Sequence, residues 1–145
     1  MHTPDFNALA VGDVVATTSY TFTRDSLVRY AGASGDFNPI HYRDDIAASV
    51  GLEGVLAHGM LTLGAATSPV VEWLGGAGFV LDTQARFTRP VVVDPHTGAE
   101  VTVTATVAAL DPEQRTAQLN LNVVYAEKTV LAKAQMLVQF RPEAA

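Results

Sequence analysis

The early part of the chain changes from an extended to a helical pattern. Residues 14–22 are rich in Val, Thr, Tyr and Phe, which favours a β-strand. Thr23 then offers a helix cap, and apolar residues follow at the i, i+3, i+4 spacing of one helix face. We therefore predict a short amphipathic helix over residues 24–33, with its end at Gly32.

A second and longer helix is predicted in the middle of the chain. Residues 44–48 suggest a helical turn with acids near its positive end. Residues 58–67 are apolar nearly all round, as expected of a buried helix. Pro69 interrupts this pattern and should kink the helix or begin a second helical piece that runs to Leu74. Three glycines within residues 75–78 then end the helix.

After these glycines the hydrophobic period changes to two. Apolar and polar side chains alternate in residues 79–87, 101–109, 117–125 and 130–140, and short turn-like links separate these segments. One-sided alternation with short links indicates antiparallel pairing with one face of the sheet buried. With residues 14–22, the pattern predicts an α+β domain in which an antiparallel sheet of about five strands wraps one long central helix.

Composition and charge narrow the classes of function. The 145 residues suit a single domain, with residues 1–10 as a loosely ordered lead-in. Hydrophobic residues make up 48% and charged residues 17%, which favours burial of some surface in a subunit interface. The formal net charge of −6 argues against nucleic acid and anionic membranes as partners. The chain has no cysteine, no signal-like segment and no long apolar run, so we expect a cytoplasmic protein without thiolate chemistry.

The candidate chemistry lies in the loop after the first predicted helix. Gly35 and Pro39 predict irregular backbone, and the loop places an acid, an amide and an imidazole at Asp36, Asn38 and His41. Apolar neighbours could exclude water from the acid and the imidazole. The pKa values of both groups would then shift, which makes acid–base chemistry possible. The alternative is a plain turn in which Asp36 and Asn38 cap backbone amides and His41 lies at the surface.

This loop resembles the hydratase-2 motif of the MaoC-like family, the (R)-specific enoyl-CoA hydratases and related 3-hydroxyacyl-thioester dehydratases. Tyr30 supplies the aromatic residue that opens the motif, residues 34–41 (Ser-Gly-Asp-Phe-Asn-Pro-Ile-His) fill its centre, and Ala47 closes it. Residues 57–61 (Ala-His-Gly-Met-Leu) resemble the segment that enters the central helix of the same family. Two blocks in the expected order make the resemblance specific, and it extends over about residues 11–140.

The resemblance implies a fold, a reaction and a partner. The fold is a single hot-dog domain, which pairs as a homodimer or as a heterodimer with another hot-dog subunit. The reaction is reversible hydration of trans-2-enoyl thioesters, carried by CoA or acyl carrier protein, to (R)-3-hydroxyacyl thioesters in fatty-acid metabolism. The chain also resembles the catalytic subunit of the bacterial (3R)-hydroxyacyl-acyl-carrier-protein dehydratases. No cofactor and no metal are implied.

The resemblance also assigns roles to residues of this chain. Asp36 and His41 form the catalytic pair, which grips one water. Gly59, at the start of the central helix, lets the thioester oxygen approach an oxyanion hole of backbone N–H groups. The residues predicted to support this site are Asn38, Ser34 and His58. The residues predicted along the substrate tunnel are Tyr30, Phe37, Met60 and Gly64.

Other functions stay open on the sequence alone. A hot-dog thioesterase would place its acid elsewhere on the central helix, where Glu72 is the only acid and lies near the end. A chain that only binds acyl groups, or that stabilises a dehydratase partner, should have lost the acid–imidazole pair. A metal site formed by Asp36, His41 and His58 is a further alternative, although the pair accounts for these groups without a cation. The candidates for binding carrier phosphates are Arg29, Arg43, Arg86, Arg89 and Lys133.

Overall fold

Most of the predicted elements are present in the computed structural model, which describes residues 3–142. The helices are α1 (Arg24–Ser34), α2 (Asp44–Ser49) and α3 (Gly59–Leu74), with 3-10 turns at Phe6–Ala8 and Pro39–His41. The strands are β1 (Val14–Phe22), β2 (Gly78–Phe87), β3 (Ala99–Asp111), β4 (Thr116–Tyr125), β5 (Lys128–Thr129) and β6 (Leu131–Phe140). The predicted α+β class is confirmed.

The strands form one antiparallel sheet in the order β1-β3-β4-β6-β2, with the short β5 beside β4. Alternate residues of β3, β4 and β6 are buried, as their period-two pattern predicts. Helix α3 packs across the sheet against β1, β2, β3 and β4 and thereby closes the core. The five long strands match the predicted number, and β5 is an addition that the pattern did not indicate.

Helix α1 begins where the sequence predicts and ends later. Thr23 caps it through a reciprocal capping box. The predicted end at Gly32 is wrong, because the helix continues past this residue and stops at Gly35. Gly35 has φ 76°, the left-handed conformation in which its N–H reaches the carbonyl of Ala31. The loop that carries Asp36 therefore leaves directly from the helix end.

Helix α3 is one helix that is buried on one side. It runs through Pro69 without dividing, so the predicted second piece does not form. Burial all round is also wrong: Met60 and Val71 are 59% and 51% exposed, and Gly64 and Ser68 face outward with them. The sheet covers one side of the helix, and these positions recur on the other side. No helix within residues 3–142 has the length and apolar character needed to cross a membrane.

Strand β2 lies at an edge of the sheet and buries little of either face. One side of it pairs with β6, and within residues 3–142 no strand pairs with the other side. Phe79, Val80 and Leu81 are 46%, 37% and 47% exposed, although they lie on alternating faces. The one-sided burial predicted for residues 79–87 is therefore wrong, because helix α3 and the sheet leave most of this strand uncovered.

The N-terminal segment packs against the domain. Residues 1–2 of the predicted lead-in lie outside the described residues, whereas Phe6–Ala8 forms a 3-10 turn capped by Asp5. Phe6 is buried, and its ring centroid lies 5.4 Å from that of Phe140. The loosely ordered lead-in is therefore corrected for residues 3–10, because an aromatic side chain there completes the core.

Candidate active site

The loop that follows α1 is held by side chains that bond to the backbone two residues further on. Ser34 Oγ accepts the N–H of Asp36 at 3.2 Å, and Asp36 Oδ1 accepts that of Asn38 at 3.1 Å. Asn38 Oδ1 accepts the N–H of Ile40 at 3.3 Å, where the 3-10 turn Pro39–His41 begins. Bonds of this kind stabilise tight turns. These bonds fix the conformation of the loop. They engage Oδ1 of Asp36 and leave its Oδ2 available to other partners.

His41 follows this loop, and its ring is almost buried. Its side chain is 10% exposed, so the alternative of a surface histidine is wrong. Nδ1 lies 2.8 Å from the backbone oxygen of Leu56, and because a carbonyl only accepts, Nδ1 carries the hydrogen. In the neutral ring Nε2 is then an acceptor, and it lies 3.8 Å from Asp36 Oδ2. The acid and the imidazole are adjacent, too far apart for a direct hydrogen bond and close enough to share a water.

His58 packs between His41 and Tyr30. Its ring stacks on that of His41, with centroids 3.8 Å apart and planes 21° from parallel, and meets the Tyr30 ring edge-on at 4.8 Å. The residue is 1% exposed, and its Nε2 donates to the backbone oxygen of Asp36 at 3.1 Å. Burial lowers the pKa of His58, an effect that the hydrogen bond to Asp36 opposes. One neutral ring thus contacts both members of the predicted pair.

The start of helix α3 lies beside these side chains without a side-chain cap. His58 occupies the N-cap position, yet its ring makes no bond to the N–H groups of the first turn. Those groups have no acceptor inside the helix, and together with the helix dipole they favour an oxygen anion. A Cβ on Gly59 would lie 3.0 Å from two carbons of the Phe87 ring. The glycine therefore keeps room between the helix start and Phe87.

A cleft of about 340 Å³ opens onto this helix start. The residues that line it are Tyr30, Ser34, Asp36, His58, Gly59, Met60 and Phe87. Two of the predicted tunnel residues, Tyr30 and Met60, thus share a cleft with Asp36, the acid of the predicted pair. The other two, Phe37 and Gly64, are exposed and lie outside its lining. The structure therefore brings together only half of the predicted tunnel.

A second cleft, of about 320 Å³, adjoins the first. It shares Gly59 and Phe87 with the first cleft and has His41 in its wall. Phe87 therefore lines both clefts, and it was not among the predicted site residues. Phe87 ends a segment in which apolar and polar residues alternate. In the sequence, that position does not distinguish a residue of the site from an aromatic residue of the core.

The same three side chains meet the distance requirement of a metal site. One ligand atom from each of Asp36, His41 and His58 lies within 4.8 Å of the others. Each imidazole, however, has one ring nitrogen in contact with a backbone carbonyl, and the two rings are stacked. Stacked rings direct their lone pairs in parallel planes rather than toward one point. The arrangement suits an acid–imidazole pair supported by a second ring better than it suits a metal ion.

The sequence relatives of the chain carry hydratase and dehydratase names. An (R)-specific enoyl-CoA hydratase of Rhodospirillum rubrum is 30% identical over 128 residues, which cover 87% of this chain and 86% of that protein. A 3-hydroxybutyryl-CoA dehydratase of Methylorubrum extorquens is 34% identical over 106 residues, which cover 72% of this chain and 65% of that protein. Both matches take in most of the length of this chain.

Solved structures of the same fold extend this comparison. A MaoC-like dehydratase has a TM-score of 0.89 and 34% identity over 96% of this chain, which spans 43% of that longer protein. An (R)-hydratase of Aeromonas caviae involved in PHA biosynthesis has a TM-score of 0.80 and 28% identity, with 92% of this chain and 98% of that one covered. The predicted hot-dog fold is thus confirmed. Since residues 6–127 also match the MaoC like domain, the chain belongs to the family of MaoC-like hydratases and dehydratases.

Proposed function

We propose that the chain is a hydro-lyase that adds water reversibly to trans-2-enoyl thioesters and forms (R)-3-hydroxyacyl thioesters. The observation that supports this most is the 3.8 Å separation of Asp36 Oδ2 and His41 Nε2 beside the uncapped start of α3. An (R)-specific enoyl-CoA hydratase and a 3-hydroxybutyryl-CoA dehydratase among the sequence relatives support the same reaction class.

In the proposed reaction, one water lies between the two catalytic side chains. A water about 2.8 Å from both Asp36 Oδ2 and His41 Nε2 forms a hydrogen bond to each. Because Leu56 keeps the hydrogen of neutral His41 on Nδ1, Nε2 presents a lone pair to this water. The pair removes one proton from the water as its oxygen bonds to Cβ, and it returns one proton to Cα. The water oxygen and the returned proton add to the same face of the double bond, so the hydration is syn.

The thioester oxygen gains negative charge while the water adds, and the start of α3 can stabilise it. The first N–H groups of this helix and its dipole act on an oxygen placed beside Gly59. The gap that Gly59 keeps next to the Phe87 ring gives that oxygen access. Loss of one donor from an oxyanion hole lowers kcat by about 10²–10³-fold, so this contribution is comparable with that of the pair.

The thioesterase alternative receives no support from the position of its acid. Glu72 is exposed near the C-terminal end of α3 and lines neither cleft of the site. The carboxylate beside the open helix start is that of Asp36, which faces an imidazole. A hydro-lyase uses this arrangement directly, whereas a thioesterase that relied on Glu72 would not.

We also propose that the protein acts as a dimer, with a second copy or with another hot-dog subunit. The outer edge of β2 is unpaired within residues 3–142, and Phe79, Val80 and Leu81 are exposed along it. An exposed apolar edge strand is a template for pairing with another strand. Met60 and Val71 on the outer side of α3 add apolar surface that a partner would cover.

Substitution of the pair tests the reaction. Asp36→Asn keeps the size of the side chain and the oxygen that accepts from Asn38, but it cannot take up a proton at neutral pH. We expect kcat for trans-but-2-enoyl-CoA, followed by loss of the conjugated enoyl absorbance, to fall by about 10²–10⁴-fold. His41→Ala should fall similarly, and the double variant should be little worse than either single one, since both groups act on one water.

Two controls keep this test decisive. Asn38→Ala loosens the loop without removing a catalytic group, so its effect should be smaller than that of Asp36→Asn. Chiral analysis of the product should return the (R)-alcohol. Near-normal turnover by a folded Asp36→Asn variant would reduce the motif to a structural loop, and the proposed function would fail with it.

A further inference from the structure

Two cations line a third cleft that adjoins the active site. The second cleft of the site shares Leu56, Arg89, Pro90 and Val130 with a neighbouring cleft of about 400 Å³. This third cleft has Lys128 in its wall as well as Arg89. Leu56 is also the residue whose carbonyl holds the catalytic imidazole, so one short segment borders both the catalytic pair and the third cleft.

Both cations belong to segments that hydrogen bonds hold in place. The backbone N–H of Arg89 donates to Val130 at 3.3 Å, and its Nη1 donates to the carbonyl of Thr129 at 2.8 Å. The guanidinium has five N–H donors, so most of them stay available for a ligand. Lys128 begins β5, directly after a turn whose residues 126–127 both have positive φ. The two cationic side chains thus belong to neighbouring backbone segments of defined conformation.

Arg89 and Lys128 differ from other cations of the chain in their ion pairing. Arg29 and Arg43 each form an ion pair with a neighbouring aspartate, which offsets their charge locally. Within residues 3–142, the ion pairs include neither Arg89 nor Lys128. Of the residues that the structure describes, Glu53 is the one acid that lines the third cleft, and it pairs with neither cation. In a chain of net charge −6, this cleft keeps an excess of positive charge beside the active site.

A second pair of cations, without ion-pair partners among residues 3–142, lies apart from the active site. Arg86 and Lys133 line a cleft together with Gln84, Ala85 and Gln135. None of these residues lines the two clefts of the active site or the third cleft. Of the five cations that the sequence offered for carrier phosphates, only Arg89 lines a cleft of the active site, and Lys128 joins it from outside that set.

We propose that Arg89 and Lys128 bind the phosphate of the pantetheine arm that carries the acyl thioester. The inference rests on the proposed function, because only a thioester substrate brings such an arm to the site. The phosphate is the anionic group that CoA and acyl carrier protein share at this position of the arm. Guanidinium and ammonium groups bind phosphate through charge-assisted hydrogen bonds. The three clefts adjoin one another through shared wall residues, so the arm of the proposed substrate would run along them from this phosphate to a thioester beside Gly59.

The test uses trans-but-2-enoyl esters of pantetheine, pantetheine 4′-phosphate and CoA. Arg89→Gln and Lys128→Gln are each expected to raise KM about tenfold for the two esters that carry phosphate, with kcat unchanged, since a hydrogen bond to a charged group is lost. The value of kcat/KM for the pantetheine ester should change by less than about twofold, because this ester lacks the phosphate. Arg86→Gln and Lys133→Gln are the matched controls and should leave all three esters unaffected.

The outcomes separate this inference from the proposed function. An equal loss with all three esters would indicate a structural role for Arg89 and Lys128, and a KM effect confined to Arg86→Gln and Lys133→Gln would move the site elsewhere. Either result overturns the inference. If the wild-type protein hydrates none of the esters, the proposed function fails. If it hydrates all three and Arg89→Gln and Lys128→Gln keep wild-type KM values, only the phosphate site fails.

The same variants identify the source of the phosphate. The trans-but-2-enoyl group is placed on acyl carrier protein and compared with the CoA ester under identical conditions. A larger rise in KM with the carrier protein points to protein-bound pantetheine, and a larger rise with CoA points to the free coenzyme. Both results support the site, whereas an unchanged KM for both carriers overturns it.

Discussion

The buried ring of His58 makes the site testable through stability as well as activity. The residue is 1% exposed and donates from Nε2 to the backbone oxygen of Asp36, and its buried Nδ1 has no hydrogen-bond partner among the described residues. His58→Phe keeps an aromatic ring to stack on His41 and to meet Tyr30, and it removes both ring nitrogens. The lost bond and the relieved Nδ1 are opposing effects of about 1–2 kcal/mol each. We therefore expect little net change in the free energy of unfolding above neutral pH.

Acid separates the variant from the wild type, because burial holds the pKa of His58 below its ordinary value of 6.5. As the pH falls through 6.5, the unfolded chain binds a proton at this position before the folded chain does, so the wild type loses stability. The loss approaches about 1.4 kcal/mol per pH unit until the folded-state pKa is reached. His58→Phe has no histidine at this position and therefore shows no such loss. As the pH falls, its free energy of unfolding should rise relative to that of the wild type by up to about 1.4 kcal/mol per pH unit.

Urea unfolding followed by the fluorescence of Trp73 measures this difference. It is the one tryptophan of the chain, and its ring packs edge-on against Phe140 at 5.9 Å. The protein concentration is kept constant, because dimer formation adds to apparent stability. His96 is exposed, so His96→Gln serves as the control and should follow the wild type. Parallel stability curves for wild type and His58→Phe between about pH 7.5 and 5.5 would refute the reasoning.

Two further predictions concern the helix start and the sheet edge. Gly59→Ala places a Cβ 3.0 Å from the Phe87 ring and narrows the approach to the first N–H groups of α3. We expect kcat in the hydration assay to fall about 10–10²-fold while the melting temperature stays close to wild type, and unchanged turnover would contradict the oxyanion role. Leu81→Lys puts a charge on the open edge of β2, so light scattering should show a monomer where wild type and the control Thr17→Lys, at the opposite edge, form dimers.

The fold was predictable where burial follows from local periodicity. The alternating residues of β3, β4 and β6 are buried as predicted, because helix α3 and the neighbouring strands cover that face. For β2 the same alternation led to a wrong prediction of one-sided burial, because burial at a sheet edge depends on which elements cover the strand. The turn-like link predicted after residue 125 is present, with Ala126 and Glu127 at φ values of 49° and 62°. Strand β5 was missed because its two residues, Lys128–Thr129, are too few to show a period.

The candidate site divides in the same way between local and distant contacts. The bonds from Ser34, Asp36 and Asn38 each span two residues, so the motif loop could be anticipated from its sequence. The stack of His41 on His58 joins two separate segments, and only the packing of the loop on the start of α3 creates it. The carbonyl of Leu56 was equally invisible, because a backbone acceptor carries no residue signature.

Helix stability and the proposed chemistry oppose each other at the start of α3. Helix α1 begins with a capping box at Thr23, whereas α3 begins at His58 without a side-chain cap. A Ser, Thr, Asp or Asn cap is worth about 1 kcal/mol, so the chain forgoes roughly that stability here. The ring of His58 contacts Asp36 and His41 instead, and the first N–H groups of α3 stay without an acceptor from their own helix. A capping side chain would occupy the position that the proposed reaction needs for the thioester oxygen, so an unstabilised helix start is a condition of that reaction.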